Sequence, residues 1–332
     1  MSALFSPMTV KRFTFRNRVV LPPMVCVVRP ELAHYAGVEG VVSEVSIEHY
    51  ARRAQAGTGL IMVEATAVDE GGRCWEGAMG AYADRHLPGL ARLAERIHEA
   101  GAVAGIQLVH HGPQGSPDLA PDGLVGPSDA APTGSRPAVR GLTVEEIHAI
   151  EGRFEEAAER VVQAGFDLVE VHAAHGFLLD SFLLQARNRR QDEYGGDLDG
   201  RMRIVLETCR RIRRRIGGGP LLTCRTCLFN KREEGFGAED LETLVGGLEE
   251  AGNDLLDVST DGVFKGWFGS PRSLGQWVKG MTGLPVIAAG GLGDARDAER
   301  AVSEGHADFA AVGTAMLDDA DWTRRAREEL GA

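Results

Sequence analysis

The stretch Ala164-Gly165-Phe166-Asp167-Leu168-Val169-Glu170-Val171-His172-Ala173-Ala174-His175 holds the end of one element and the whole of the next. Ala164-Gly165 closes a helical pattern, because glycine takes the left-handed backbone that ends a helix at little steric cost. Leu168–His172 is short, β-branched and almost continuously apolar, the pattern of a parallel strand buried on both faces. Its end carries two histidines. The same junction recurs where Ala100-Gly101 precedes Ala104–Leu108 and where Ala251-Gly252 precedes Leu255–Ser259.

Working outward, further runs of this kind are Val19–Met24, Leu60–Glu64, Leu221–Thr226, Val286–Ala289 and Phe309–Val312, which brings the expected strands to eight. Amphipathic stretches separate them at Ser46–Ala56, Leu87–Ala100, Thr143–Ala164, Arg201–Ile216, Ala238–Ala251 and Ala295–Glu304. Thr143-Val-Glu-Glu146 reads as a capping box, in which each side chain satisfies an orphan backbone N–H. Eight strand–helix units predict an α/β fold, a closed (β/α)8 TIM barrel, as one domain over residues 1–332. Residues 1–18 are expected to form a hairpin under the barrel floor. The Gly/Pro-rich stretch 111–141 is too long for an ordinary connection and is expected to be a lid over the mouth.

The formal net charge of −12 makes phosphate backbones and anionic lipid poor partners. No run approaches the length of a membrane span, and Met1–Arg18 has no apolar core of a signal peptide. Five scattered cysteines suit a reducing compartment, so a cytoplasmic location is expected. Cys224 and Cys227 have CxxC spacing, but an odd separation along a strand places the thiols on opposite faces.

Active sites of this fold gather at the C-terminal strand ends. Those ends read Pro23-Met24-Val25-Cys26, Glu64-Ala65, Gln107, His172-Ala-Ala-His175, Arg225, Gly290-Gly291 and Gly313-Thr314. Glycine turns after the seventh and eighth strands expose backbone N–H groups and point to a phosphate. His172 and His175 have a spacing that could suit a metal, but no further ligands stand at neighbouring strand ends. They read better as paired hydrogen-bond donors to a substrate oxygen, with no metal. Arg225 inside the barrel requires an anion or an electron-rich acceptor.

Four blocks carry a resemblance. They are Asn17-Arg18-Val-Val-Leu-Pro-Pro23-Met24, Gln107-Leu-Val-His110, Gly165 through Leu178, and Asn188-Arg-Arg-Gln-Asp192-Glu-Tyr194-Gly195-Gly196. In this order they resemble the old yellow enzyme family of flavin oxidoreductases, most closely its thermophilic-type bacterial branch. The resemblance implies non-covalent FMN, reduction by NAD(P)H, and hydride transfer to an activated C=C bond. Pro23, Met24, Val25, Ala65, Gln107 and Arg225 would then contact the isoalloxazine, with Arg225 at its N1–C2=O edge. Gly290, Gly291, Gly313 and Thr314 would hold the phosphate. His172 and His175 would polarise an enone carbonyl, and Cys26 and Phe177 would line the substrate pocket.

Departures from the family pattern matter as much. Phe177 stands where the family has a Tyr that protonates the α-carbon. Val25, Val27 and Thr314 replace polar or basic family residues, and the chain ends at Leu330-Gly-Ala without the branch's aromatic tail. The expectation is an FMN-dependent, ene-reductase-like enzyme acting on α,β-unsaturated or cyclic carbonyl compounds. Two alternatives are an FMN-dependent dehydrogenase, desaturase or isomerase of a biosynthetic intermediate, and a flavin binder with vestigial turnover. The expected partners are small molecules, with no nucleic acid and no membrane; a homo-oligomer is compatible with the sequence.

Overall fold

The computed structural model describes residues 2–25, 39–227 and 235–332. Twelve strands are β1 (Met8–Val10), β2 (Phe13–Phe15), β3 (Val19–Leu21), β4 (Leu60–Ala67), β5 (Val103–Val109), β6 (Leu124–Gly126), β7 (Val139–Gly141), β8 (Leu168–Ala173), β9 (Leu221–Cys227), β10 (Leu255–Ser259), β11 (Val286–Ala289) and β12 (Phe309–Ala311). Eight of them close a parallel barrel in the order β3-β4-β5-β8-β9-β10-β11-β12, with β12 back against β3. The eight strands and their order follow the sequence expectation; β3 is shorter at its C-terminal end and β4 is longer. Beyond Leu21 the chain enters Pro22-Pro23, and proline has no N–H to give a strand ladder. A register shift between Val63 and Thr66 marks a bulge in β4 that carries Ala65.

The outer layer is α1 (Glu44–Gln55), α2 (Leu87–Glu99), α3 (Val144–Gln163), α4 (Leu178–Leu183), α5 (Leu198–Ile216), α6 (Ala238–Glu250), α7 (Leu274–Lys279), α8 (Ala295–Ser303), α9 (Thr314–Asp318) and α10 (Trp322–Glu329). The short helices α4, α7, α9 and α10 were not anticipated, since one or two turns leave little periodicity to read. Thr143 and Glu146 do close their capping box: Glu146 N donates to Thr143 Oγ1 at 3.2 Å and Thr143 N to Glu146 Oε2 at 2.8 Å. Gly101, Gly165 and Gly252 turn the chain into β5, β8 and β10 with φ of 75°, 99° and 91°.

Alternation along the strands divides the interior. Leu60, Met62, Val103, Leu168, Leu221, Leu255, Ile287 and Phe309 fill the barrel, while the opposite faces pack on the helices. Underneath, β1 and β2 form an antiparallel hairpin with Met8 opposite Phe15. Phe15 is fully buried, its ring 4.9 Å from that of Phe309. The segment after β5 carries the parallel pair β6–β7, and Arg190 ties it to the chain after α4 through Pro127 O and Leu142 O. No helix among the described residues is long and apolar enough to cross a membrane.

Candidate active site

Two rungs above the apolar layer, the same inward parity presents polar groups. Gln107, Glu170, His172, Arg225, Asp257 and Ser259 are all buried at the barrel mouth. Parity and register place them together: Gln107 pairs with Glu170, His172 with Arg225, and Arg225 with Asp257 across neighbouring strands.

A cleft of about 460 Å³ opens on one side of the mouth. Pro23, Met24, His175, Arg225, Gly290, Gly291, Gly313 and Thr314 all line it. The glycines are needed by geometry. A Cβ on Gly290 would lie 2.5 Å from Thr260 O, and Gly291 has φ 75°. A Cβ on Gly313 would press on Met24 Sδ at 3.2 Å. Among the described residues, the N–H groups of Gly291, Gly313 and Thr314 make no hydrogen bond. Asp294 caps α8 by accepting from Arg296 N and Asp297 N, so that helix's N-terminus is already filled by a carboxylate. The free donors belong to the turns themselves.

Arg225 lies at the other end of this cleft. Its Nε has no hydrogen-bond partner; Asp257 Oδ1 is 3.8 Å away and Ser259 Oγ is 3.5 Å from Nη2. Behind it, Gln107 Nε2 donates to Glu170 Oε1 at 2.8 Å, which turns the Gln107 carbonyl away from Glu170. Glu170 Oε2 and Asp257 Oδ1 meet no donor. Burial, reinforced by the neighbouring Asp257, pushes the Glu170 carboxyl well above its ordinary range, and burial also raises Asp257 against the pull of Arg225. Both carboxyls thus lie above their ordinary ranges in a buried corner they share with Arg225. Neither acid was singled out from sequence. The available signal was parity: Glu170 shares its face with His172.

His172 accepts from Ala174 N at Nδ1, 3.2 Å, which leaves its proton on Nε2. That Nε2 is 3.4 Å from His175 Nδ1, and His175 Nε2 is 3.0 Å from Ser259 Oγ. Burial, then the neighbouring His175, holds His172 well below the ordinary histidine range, so it is a neutral donor. His175 has φ 60°, a left-handed conformation costing about 1–3 kcal/mol for a side-chain residue. The turn is pinned from several sides. His175 N donates to Cys227 Sγ, Gly176 N to Asp180 Oδ2, Gln114 Nε2 to His175 O and Arg187 Nη1 to Gly176 O.

Phe177 lies beside this pair, 4.9 Å from the His172 ring and 4.7 Å from the His111 ring, centroid to centroid. Ala65 is buried in the β4 bulge and Val25 stands at the edge of the described chain. Cys26 and Val27 lie outside the described residues. Cys224 is buried among the outward-facing core residues, whereas Cys227 meets the His175 backbone at the mouth, so the CxxC thiols do diverge. Among the described residues, the only three-residue group of potential metal ligands is His148, Glu151 and Glu207, between α3 and α5 and away from the mouth. There Arg211 Nε sits 3.2 Å from Glu151 Oε2.

The residues present fit FMN. Unpartnered N–H groups in a cradle that a Cβ would fill suit a phosphate, and a buried guanidinium with an unsatisfied Nε suits the electron-rich edge of a flavin ring. The profile of the NADH:flavin oxidoreductase / NADH oxidase family matches residues 3–332. The chain is 33% identical over 334 residues to an NADPH dehydrogenase of Geobacillus thermodenitrificans, covering 99% of this chain and 95% of the relative. It is 34% identical over 339 residues to an NADPH dehydrogenase of Listeria monocytogenes, covering 100% and 96%. In structure it is similar to the old yellow enzyme homologue of Zymomonas mobilis, with TM-score 0.84, 27% identity, and 98% and 93% of the two chains covered.

Proposed function

The chain belongs to the NADH:flavin oxidoreductase / NADH oxidase family, and from that premise we propose that it transfers reducing equivalents between NAD(P)H and an α,β-unsaturated or cyclic carbonyl compound. It is an FMN-dependent oxidoreductase. Bound flavin would supply the two-electron chemistry.

The chain's own residues divide the remaining work. The turns at Gly290-Gly291 and Gly313-Thr314 hold the phosphate through backbone N–H groups. Pro23, Met24, Val25 and Ala65 pack on the ring, and Gln107 offers it a hydrogen bond. Arg225 meets the charge that builds at the pyrimidine edge on reduction. His172 and His175 donate to the ligand's carbonyl oxygen and stabilise it as it becomes an enolate. The observation that carries this reading is one cleft with free N–H groups, a buried guanidinium and a histidine pair whose His172 is held neutral.

The test is a purified protein under anaerobic conditions. A flavin absorption band bleached by NADPH or NADH, then restored by a cyclic enone or an equivalent carbonyl acceptor, is the expected result. A reduced flavin that only oxygen reoxidises, with no spectral response to any carbonyl ligand, would overturn the substrate class.

A further inference from the structure

Glu170 on β8 and Asp257 on β10 flank Arg225 on the strand between them, and nothing above gives the two acids a task. They are 0% and 1% exposed. Arg225 lines the cleft, whereas neither acid does, so both stand behind the guanidinium. A buried carboxyl without a full set of donors costs stability. Two of them behind one cation call for a reason.

The contacts are loose where they involve Arg225. Asp257 pairs with it in register, yet its Oδ1 is 3.8 Å from Arg225 Nε, too far for a hydrogen bond, and neither atom has another partner. Ser259 Oγ, at 3.5 Å from Nη2, is a long contact as well. Glu170 is held from the other side: its Oε1 accepts from Gln107 Nε2 at 2.8 Å, and its Oε2 is unpartnered. The two carboxyls also meet each other, a contact that holds only while the pair keeps at least one proton. Burial raises both acids, and Arg225 draws both down. The pair therefore carries at most one negative charge, set against one guanidinium in a corner that water does not screen.

Resting on the reading that places the flavin ring against Arg225, we propose that Glu170 and Asp257 are positioning residues that set the reduction potential of the bound flavin through Arg225. Reduction brings negative charge to the ring edge that Arg225 meets. That charge gains more from an unopposed cation than from one already balanced from behind. A carboxylate on the far side of the guanidinium divides its field between acid and ring. The pair thus holds the potential below the value that Arg225 alone would give. A lower potential makes the reduced cofactor a stronger donor to the carbonyl ligand, at the expense of ready reduction by NAD(P)H. Glu170 has a second hold on the same ring: by accepting from Gln107 Nε2 it fixes which end of that amide is left for the cofactor.

A merely structural acid pair would leave the potential unmoved when replaced by amides of the same shape. The experiment measures the FMN midpoint potential of holoprotein by anaerobic spectroelectrochemistry. It compares wild type, Asp257→Asn, and the double variant Glu170→Gln with Asp257→Asn. Glu170→Gln removes charge but keeps an acceptor for Gln107 Nε2. The double variant should favour reduced over oxidised flavin about tenfold or more relative to wild type, a midpoint about 30 mV more positive for a two-electron couple. Asp257→Asn alone should fall between the two, because Glu170 can still carry the remaining charge. A midpoint unchanged or lowered in the double variant overturns the proposal.

Wild type decides the matter if the double variant does not fold. Infrared difference spectra between oxidised and reduced holoprotein should show the C=O band of a protonated carboxyl shifting on reduction, and the absence of any carboxyl signal overturns the proposal equally. Arg225→Lys separates this inference from its premise. A wild-type midpoint in that variant would remove Arg225 from the ring, and the proposal with it. A changed midpoint there, with the double variant unmoved, overturns the proposal alone.

Discussion

The floor and the mouth of the barrel are built from the same strands, two rungs apart, and share almost no chemistry. At the floor, inward positions are Leu60, Val103, Leu168, Leu221, Leu255 and Phe309, closed beneath by Phe15. At the mouth, the same parity gives Gln107, Glu170, His172, Arg225, Asp257 and Ser259. The floor is stabilised by removing apolar surface from water. The mouth carries orphaned Nε, Oε2 and Oδ1 atoms and a left-handed His175, each of which costs stability. One alternating pattern thus yields a rigid base and a preorganised, under-satisfied top.

Separating the two regions experimentally begins with Arg225. Arg225→Ala should lose most bound FMN, or retain it with reduction by NAD(P)H slowed severely, while the thermal transition of apoprotein stays near wild type. Full flavin content with unchanged reduction would place Arg225 away from the cofactor. The floor should behave in the opposite sense. Phe15→Ala should cost about 3–5 kcal/mol of stability, read in denaturant unfolding, with the flavin spectrum and reduction rate unchanged in protein that remains folded. A spectral shift there would show that floor and mouth are coupled.

Within the mouth, His172→Ala separates ligand handling from cofactor handling. It should slow reoxidation by a carbonyl acceptor about 10²–10³-fold, the effect of removing one donor to a developing oxyanion, and leave reduction by NAD(P)H nearly intact. Stopped-flow on each half-reaction decides this, and equal losses in both halves would contradict a role specific to the carbonyl ligand. The smallest change is Phe177→Tyr. Its hydroxyl would enter the wall formed with His111 and His172, and it should raise cyclohexenone reduction by about 10-fold, a fraction of the 10²–10⁴-fold of a well-positioned acid. Fast wild-type turnover with no gain in the variant would show that protonation was never limited at this position.

The barrel was legible because parallel strands buried on both faces leave continuous apolar runs, and because Gly101, Gly165 and Gly252 mark where each helix must stop. The glycine turns were legible for a related reason: Gly290 and Gly313 sit where a side chain would collide, so the residue type records the geometry. That Asp294 spends its carboxylate on the first N–H groups of α8 was not legible, because a cap is recognised only from the backbone geometry around it. The short helices α4 and α7 escaped for want of periodicity, and the segment holding Cys26 lies outside the described residues.

By itself the sequence determined the fold and the residues at the strand ends, because each depends on local pattern, parity and residue type, while the cofactor followed from the family resemblance. Only the tertiary structure decided how those residues act. The raised carboxyls of Glu170 and Asp257 and the Nδ1 proton of His111 each depend on a partner from another strand or loop: each other and Arg225 for the two acids, and Gly72 O for the histidine. Protonation states are set by burial and by neighbours a few ångströms away, and those neighbours are distant along the chain. Closing the barrel is the event that brings them together.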